Sequence, residues 1–171
     1  TGGTSCLICM RGKYQADREQ TKCKECAIGK ASVGEEREIE CEECQIGRYQ
    51  SEAAATTCLK CIPGQFQAQR GQTNCTKCAV GRASTDTTRE CDVCIEGQYQ
   101  LEIAATACLK CIPGQFQHQH SSSKCNHCNV NTFQKNPGSK SCQPCPKNTY
   151  TNNQTGATDC FLCPAGKSGA S

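Results

Sequence analysis

The run Cys108-Leu109-Lys110-Cys111-Ile112-Pro113-Gly114-Gln115-Phe116-Gln117 decides how this chain is to be read. It joins a Cys-x-x-Cys pair, a Pro-Gly turn signal and an aromatic within ten residues. Outward in both directions the same elements return. Cys-x-x-Cys pairs begin at Cys6, Cys23, Cys41, Cys58, Cys75, Cys91, Cys108, Cys125, Cys142 and Cys160, spaced 16 to 18 residues apart, and they account for all 20 cysteines. A fixed period of this kind marks one small supersecondary unit repeated end to end.

The unit has an internal order. Counted from the second Cys of each pair, position +3 holds Gly12, Gly29, Gly47, Gly64, Gly81, Gly97, Gly114 and Gly166, with Asn131 and Asn148 in the other two units. Gly and Asn share a tolerance of positive φ, so the position predicts a tight turn with a left-handed residue. Position +5 holds Tyr14, Tyr49, Phe66, Tyr99, Phe116, Phe133 and Tyr150. An aromatic two residues past a turn is expected to fold back over the adjacent cysteines and form the core of its unit, contributing ~1.5–3 kcal/mol. Ala31, Ala83 and Ser168 replace it in three units. Runs such as Gly47-Arg48-Tyr49-Gln50 and Gly64-Gln65-Phe66-Gln67 alternate in a way that predicts a short strand after each turn. Residues 51–57 and 101–107 carry helix-friendly Ala and Glu, but they are too short for an isolated helix and are read as loops.

Composition sets the architecture. Leu, Ile, Val and Phe together number 21 of 171 residues, and Trp is absent. That is well under the roughly one-fifth typical of folded chains, so a single hydrophobic core is excluded and local cross-links must replace it. The expected fold is an elongated rod of about ten tandem units of roughly 17 residues, built from short β-hairpins and turns with almost no helix. The units run over residues 9–25, 26–43, 44–60, 61–77, 78–93, 94–110, 111–127, 128–144 and 145–162, with the end of a preceding unit at 1–8 and a truncated one at 163–171.

A longer period lies over the short one. Residues 41–90 recur as 91–140, and the segments 54–67 and 104–117 are nearly identical. Three units form this super-repeat, which predicts that every third unit meets an equivalent environment, as in a rod turning about once per three units.

Three chemistries compete for the cysteines. Zinc would need discrete pairs of pairs, whereas all the gaps here are alike. Redox catalysis would need one Cys-x-x-Cys at a helix start. Structural disulfides in an oxidising compartment fit the count and the even spacing. Spacing alone does not settle connectivity. Joining Cys6 to Cys23 and Cys9 to Cys26, and so on, would consume all the cysteines in double units and produce a period of two. The observed periods of one and three favour a ladder: Cys9–Cys23, Cys26–Cys41, Cys44–Cys58, Cys61–Cys75, Cys78–Cys91, Cys94–Cys108, Cys111–Cys125, Cys128–Cys142 and Cys145–Cys160. Each such loop of about 15 residues stabilises by ~3 kcal/mol in the chain-entropy description. Cys6 and Cys163 are then expected to pair outside the segment. The chain opens at Thr1 with neither an initiator Met nor a secretory leader, and it is expected to be a processed or excerpted piece of a longer array.

The pattern Cys-Pro/Ile-x-Gly-x-Tyr/Phe, about eight polar residues, then Thr-x-Cys-x-x-Cys resembles the ephrin-receptor-like cysteine-rich repeat. It is similar also to the short first module of tumour-necrosis-factor-receptor repeats. Cys111 to Phe116, Cys163 to Lys167, and Thr21, Thr56, Thr73, Thr106 and Thr158 carry the likeness. The resemblance implies the ladder pairing. Receptors alternate this module with a differently bridged one, while here it runs uninterrupted. Such arrays are associated with large secreted or surface proteins, fibrous ones included.

The remaining motifs are sparse. Asn74-Cys75-Thr76 and Asn153-Gln154-Thr155 are N-glycosylation sequons, with Asn153 preferred because Cys75 occupies the middle of the other. His118, His120 and His127 read as exposed loop polarity, and no metal or other cofactor is expected. The acidic stretch from Glu35 to Glu43 reads as a solvated loop. The formal charge of +3 is spread without a basic stripe, which argues against nucleic acid. No apolar run spans a membrane. No catalytic constellation is visible, and the chain is not expected to be an enzyme. It is expected to be an extracellular or cell-surface structural protein that associates with itself or with neighbouring repeats, with glycans as further candidate partners. The alternative is the stalk of a receptor or adhesin ectodomain.

Overall fold

A computed structural model describes residues 8–18, 20–32 and 39–167. Cys6, Ser168 and residues 35–38 of the acidic stretch lie outside the described residues.

Each repeat begins with a turn. In the repeat opened by Cys111 the Gln115 N–H donates to the Ile112 carbonyl at 3.1 Å, and Gly114 sits between them with φ of 81°. Pro at the second position and a left-handed Gly at the third is the type II signature. All the +3 glycines adopt φ between 75° and 82°, and Asn131 and Asn148 adopt 60° and 63°. A two-residue strand follows at +4 and +5. It pairs antiparallel with the two residues inside the next Cys-x-x-Cys: Gln115 opposite His127 and Phe116 opposite Asn126. Nine such hairpins occur among the described residues, from Lys13–Tyr14 with Lys24–Glu25 to Thr149–Tyr150 with Phe161–Leu162, and no described residue is helical.

The bridges close these hairpins. The structure joins Cys9 to Cys23, Cys26 to Cys41, Cys44 to Cys58, Cys61 to Cys75, Cys78 to Cys91, Cys94 to Cys108, Cys111 to Cys125, Cys128 to Cys142 and Cys145 to Cys160. Cys163 is unpaired and half-buried. Every bridge spans 13 to 15 residues, so one covalent loop contains one turn, one strand and one irregular segment.

The chain divides into two compact regions. One runs to Lys77 and includes Thr85–Glu90; the other comprises Cys78–Ser84 and the residues from Cys91 onward. In both, the fully buried set is the sulfurs and a row of polar side chains. Cys26 and Cys44 in the first region, and Cys78, Cys94, Cys111 and Cys128 in the second, have no exposed surface.

Here the structure departs from the expectation placed on the aromatics. Tyr14, Tyr49, Phe66, Tyr99, Phe116, Phe133 and Tyr150 are only half-buried. The buried residue is the next one, at +6: Ser32, Gln50, Gln67, Ser84, Gln100, Gln117, Gln134 and Thr151. Neighbours along an extended segment point to opposite faces, so where +6 enters the stack a large ring at +5 is left partly exposed. Phe116 there stacks on His118, with ring centroids 6.0 Å apart. Ala31 and Ala83 replace the aromatic and are themselves buried.

Candidate functional site: the stacked turns and the faces they leave open

The +3 residue is the hub of the stack. Its carbonyl accepts from the Cys that opens the next repeat: Cys128 N–H to Gly114 at 2.9 Å, and likewise Cys111 to Gly97 and Cys44 to Gly29. Its N–H donates to the +6 carbonyl of that next repeat. Gly97 to Gln117 and Gly114 to Gln134 are 2.7 Å in the second region; Gly29 to Gln50 and Gly47 to Gln67 are 2.7 Å in the first. The turn expected at each Gly is therefore also the joint between successive repeats.

The +6 glutamine organises its own loop. Gln117 Nε2 donates to the Lys124 carbonyl at 2.7 Å, and its Oε1 accepts from the Gln119 N–H at 2.9 Å. Gln50, Gln67, Gln100 and Gln134 repeat both bonds with partners at the same offsets. One carboxamide thus bridges both ends of a loop and leaves no polar atom stranded. No described buried side-chain nitrogen or oxygen lacks a partner. The glutamines escaped the sequence reading because Gln carries no strong strand, turn or core signal. Their recurrence after six of the seven +5 aromatics was the only trace.

A second position was also missed. Ala54, Gly71, Ala104, Ser121, Gly138 and Gly156 are left-handed residues in the loops. Each N–H donates to the carbonyl of the Cys that opens the preceding repeat, as Gly156 does to Cys128 and Ala104 to Cys78, both at 2.8 Å. The carbonyls of five of them come to rest on the +3 Gly two repeats earlier: Ala54 on Gly12, Gly71 on Gly29, Ser121 on Gly81, Gly138 on Gly97, Gly156 on Gly114. The largely exposed loop 119–123 is accordingly pinned at Ser121 and at Ser122, whose carbonyl accepts from the Gln100 N–H.

Burial at +3 follows this packing. Gly12, Gly29, Gly47, Gly64, Gly81, Gly97 and Gly114 are buried, whereas Asn131, Asn148 and Gly166 are exposed. Asn131 also bonds differently. Its N–H donates to Thr151 Oγ1 at 2.9 Å, and its Oδ1 accepts from the Thr151 N–H at 3.4 Å.

The repeat of residues 78–93 has the shortest bridge and no left-handed loop residue. Asp86 accepts from the Thr88 hydroxyl at 2.6 Å and from its N–H at 2.8 Å. Those two bonds hold the Asp86 carboxyl below its ordinary range. At the other end of the first region, the hydrogen bond and charge of Asp17 raise Lys24.

Outer faces carry regular apolar tips beside the turns, among them Met10, Ile28 and Ile62 in the first region and Ile95 and Ile112 in the second. An open groove of about 330 Å³ in the second region is lined by Ile95, Glu96, His120, Gly138 and Lys140, with Glu96 and Lys140 paired at 3.6 Å. His118, His120 and His127 are exposed, and among the described residues no cluster of three or more His, Cys, Asp or Glu is placed to hold a metal ion. No described helix is long and apolar enough to cross a membrane. Asn74 and Asn153 are both exposed.

No curated protein matches the chain. A family model does, four times in overlapping windows: residues 81–124, 104–141, 114–163 and 136–171. Those windows cover more than half of the chain, and the hairpins within them match an extracellular receptor-type, cysteine-rich module. By this match the chain belongs to the family described as tyrosine-protein kinase ephrin type A/B receptor-like.

Proposed function

We propose that the chain is an extracellular structural element, a disulfide-laddered rod that serves as a spacer or building segment in a larger surface array or filament. The observation that carries this reading is the double tie at +3 glycines such as Gly29, Gly97 and Gly114, to the next repeat by hydrogen bonds and to the second-next by close packing. A force along the chain would meet a covalent loop in every repeat and backbone bonds between repeats. Little of the resistance would depend on a side-chain core. The partners fitting this role are further copies of the same repeats, met at the apolar turn tips.

Electron micrographs of native material test the idea. Rods or fibres whose length scales with repeat number are expected. Isolated, collapsed particles that bind a soluble ligand through one or two repeats would remove it.

The alternative, a receptor or adhesin stalk that binds a protein or glycan, is favoured by the receptor-type family match and by the groove at Ile95, Glu96 and Lys140. Saturable binding abolished by Ile95→Asp would support that reading over the first.

A further inference from the structure

We infer that Asn153 is a site of N-linked glycan attachment and that Asn74, which shares its sequence motif, is not. Asn152 and Asn153 both have positive φ, 52° and 57°, and the Gln154 N–H donates to the Thr151 carbonyl at 3.0 Å. That is the geometry of a type I′ turn. Asn153, Gln154 and Thr155 are all exposed, none belongs to a strand, and among the described residues the Asn153 carboxamide has no hydrogen-bond partner. Amide and hydroxyl of the sequon are thus both free for a transferase.

Asn74 is exposed as well, but the backbone of its sequon is tied at all three residues. Its carbonyl accepts from Gln67 Nε2 at 2.8 Å, Cys75 is bridged to Cys61, and Thr76 is paired with Phe66 in a hairpin. A transferase would have to open a covalent loop to grip that sequon.

The chemistry requires a donor oligosaccharide carried on a lipid pyrophosphate. Asn153 Nδ2 forms a bond to the anomeric carbon, and the bond from that carbon to the pyrophosphate oxygen breaks. The leaving lipid pyrophosphate keeps the electron pair, and Nδ2 gives up one proton to a base of the transferase. The inference is independent of whether the array is a filament or a receptor stalk.

The test is secretion of the disulfide-bonded chain from eukaryotic cells, followed by peptide-N-glycosidase treatment in heavy-oxygen water and peptide mass mapping. The expected result is a heavy-oxygen Asp at position 153 and unchanged Asn74. Asn153→Gln and Thr155→Ala should each abolish the glycan-dependent gel shift, while Asn74→Gln leaves it intact. An unlabelled Asn153, a labelled Asn74, or a shift surviving in either Asn153→Gln or Thr155→Ala would overturn the inference.

Discussion

The carbonyl oxygen of Gly156 rests against the α-carbon of Gly114, so closely that a Cβ on Gly114 would stand 2.1 Å from it. Gly81 and Gly97 meet the Ser121 and Gly138 carbonyls in the same way, with a Cβ falling 2.0 Å away. The left-handed backbone already costs an L side chain ~1–2 kcal/mol. Overpacking against a fixed carbonyl adds about 1–3 kcal/mol.

Gly97→Ala should therefore lose roughly 2–5 kcal/mol of local stability, whereas Gly166→Ala, with nothing within 4 Å of its Cβ, should lose only the backbone part. Gly47→Ala should fall between, because its Cβ would meet the Thr88 methyl, a side chain able to move, at 2.9 Å. Asn131→Gly should be mild and Gly97→Asn severe. Amide exchange of the Cys111 and Gln117 N–H groups would rank these variants. Equal protection in Gly97→Ala and Gly166→Ala would refute the packing account.

Ala54 and Ala104 hold the left-handed loop position with φ of 55° and 58°, where Gly71, Gly138 and Gly156 stand in other repeats. Relief of that strain is offset in part by the greater freedom of Gly in the unfolded chain. Ala104→Gly should thus raise stability by about 0.5–1 kcal/mol, read as a higher denaturation midpoint under non-reducing conditions. A lower midpoint would contradict it.

Gln117 uses both ends of its carboxamide, so Gln117→Ala should cost about 1–3 kcal/mol by stranding the Lys124 carbonyl and the Gln119 N–H. Gln117→Glu keeps the acceptor but points a carboxylate at the Lys124 carbonyl. Burial and that carbonyl raise the folded pKa of the introduced group, so folding favours its protonated form. The variant should match the parent in acid and weaken as pH rises above ~4.3, the ordinary Glu value. A melting curve that does not change with pH would reject this.

Acid should act oppositely on the loop Thr85–Glu90 of the parent chain. The Asp86 carboxyl is held below its ordinary value of 3.8 by the Thr88 hydroxyl and then by the Thr88 N–H. A depressed carboxyl stabilises the loop above 3.8 and loses that contribution as pH falls through the lower folded value. The Thr88 amide resonance should titrate with a midpoint below 3.8, and Asp86→Asn should remove the titration. A midpoint at or above that value would contradict the assignment.

Several features were legible without coordinates because they depend on neighbours in sequence. Gly12 through Gly166 announce a left-handed turn because few other residues tolerate it, and Asn131 and Asn148 confirm the mechanism by sharing it. The short strand after each turn follows from the alternation around Tyr49 and Phe66. The second strand, inside the Cys-x-x-Cys, was not legible: Leu109–Lys110 and Gln143–Pro144 have nothing in common beyond their place between two cysteines. Nor was the inward face. An aromatic followed by Gln predicts a buried ring, and here the ring is only half-buried while the carboxamide at +6 is buried with two loop partners that a ring could not satisfy.

Sequence alone determined the repeat, its period, the turn residue and the demand for covalent loops in place of a core, since each rests on local sterics or on composition. Only the tertiary structure decided what those glycines are for. Gly114 and Gly156 are 42 positions apart, and no local rule connects them. Their contact exists because each loop, closed by its own disulfide, lays one backbone carbonyl across the turn two repeats earlier, where a hydrogen atom fits and a methyl group does not.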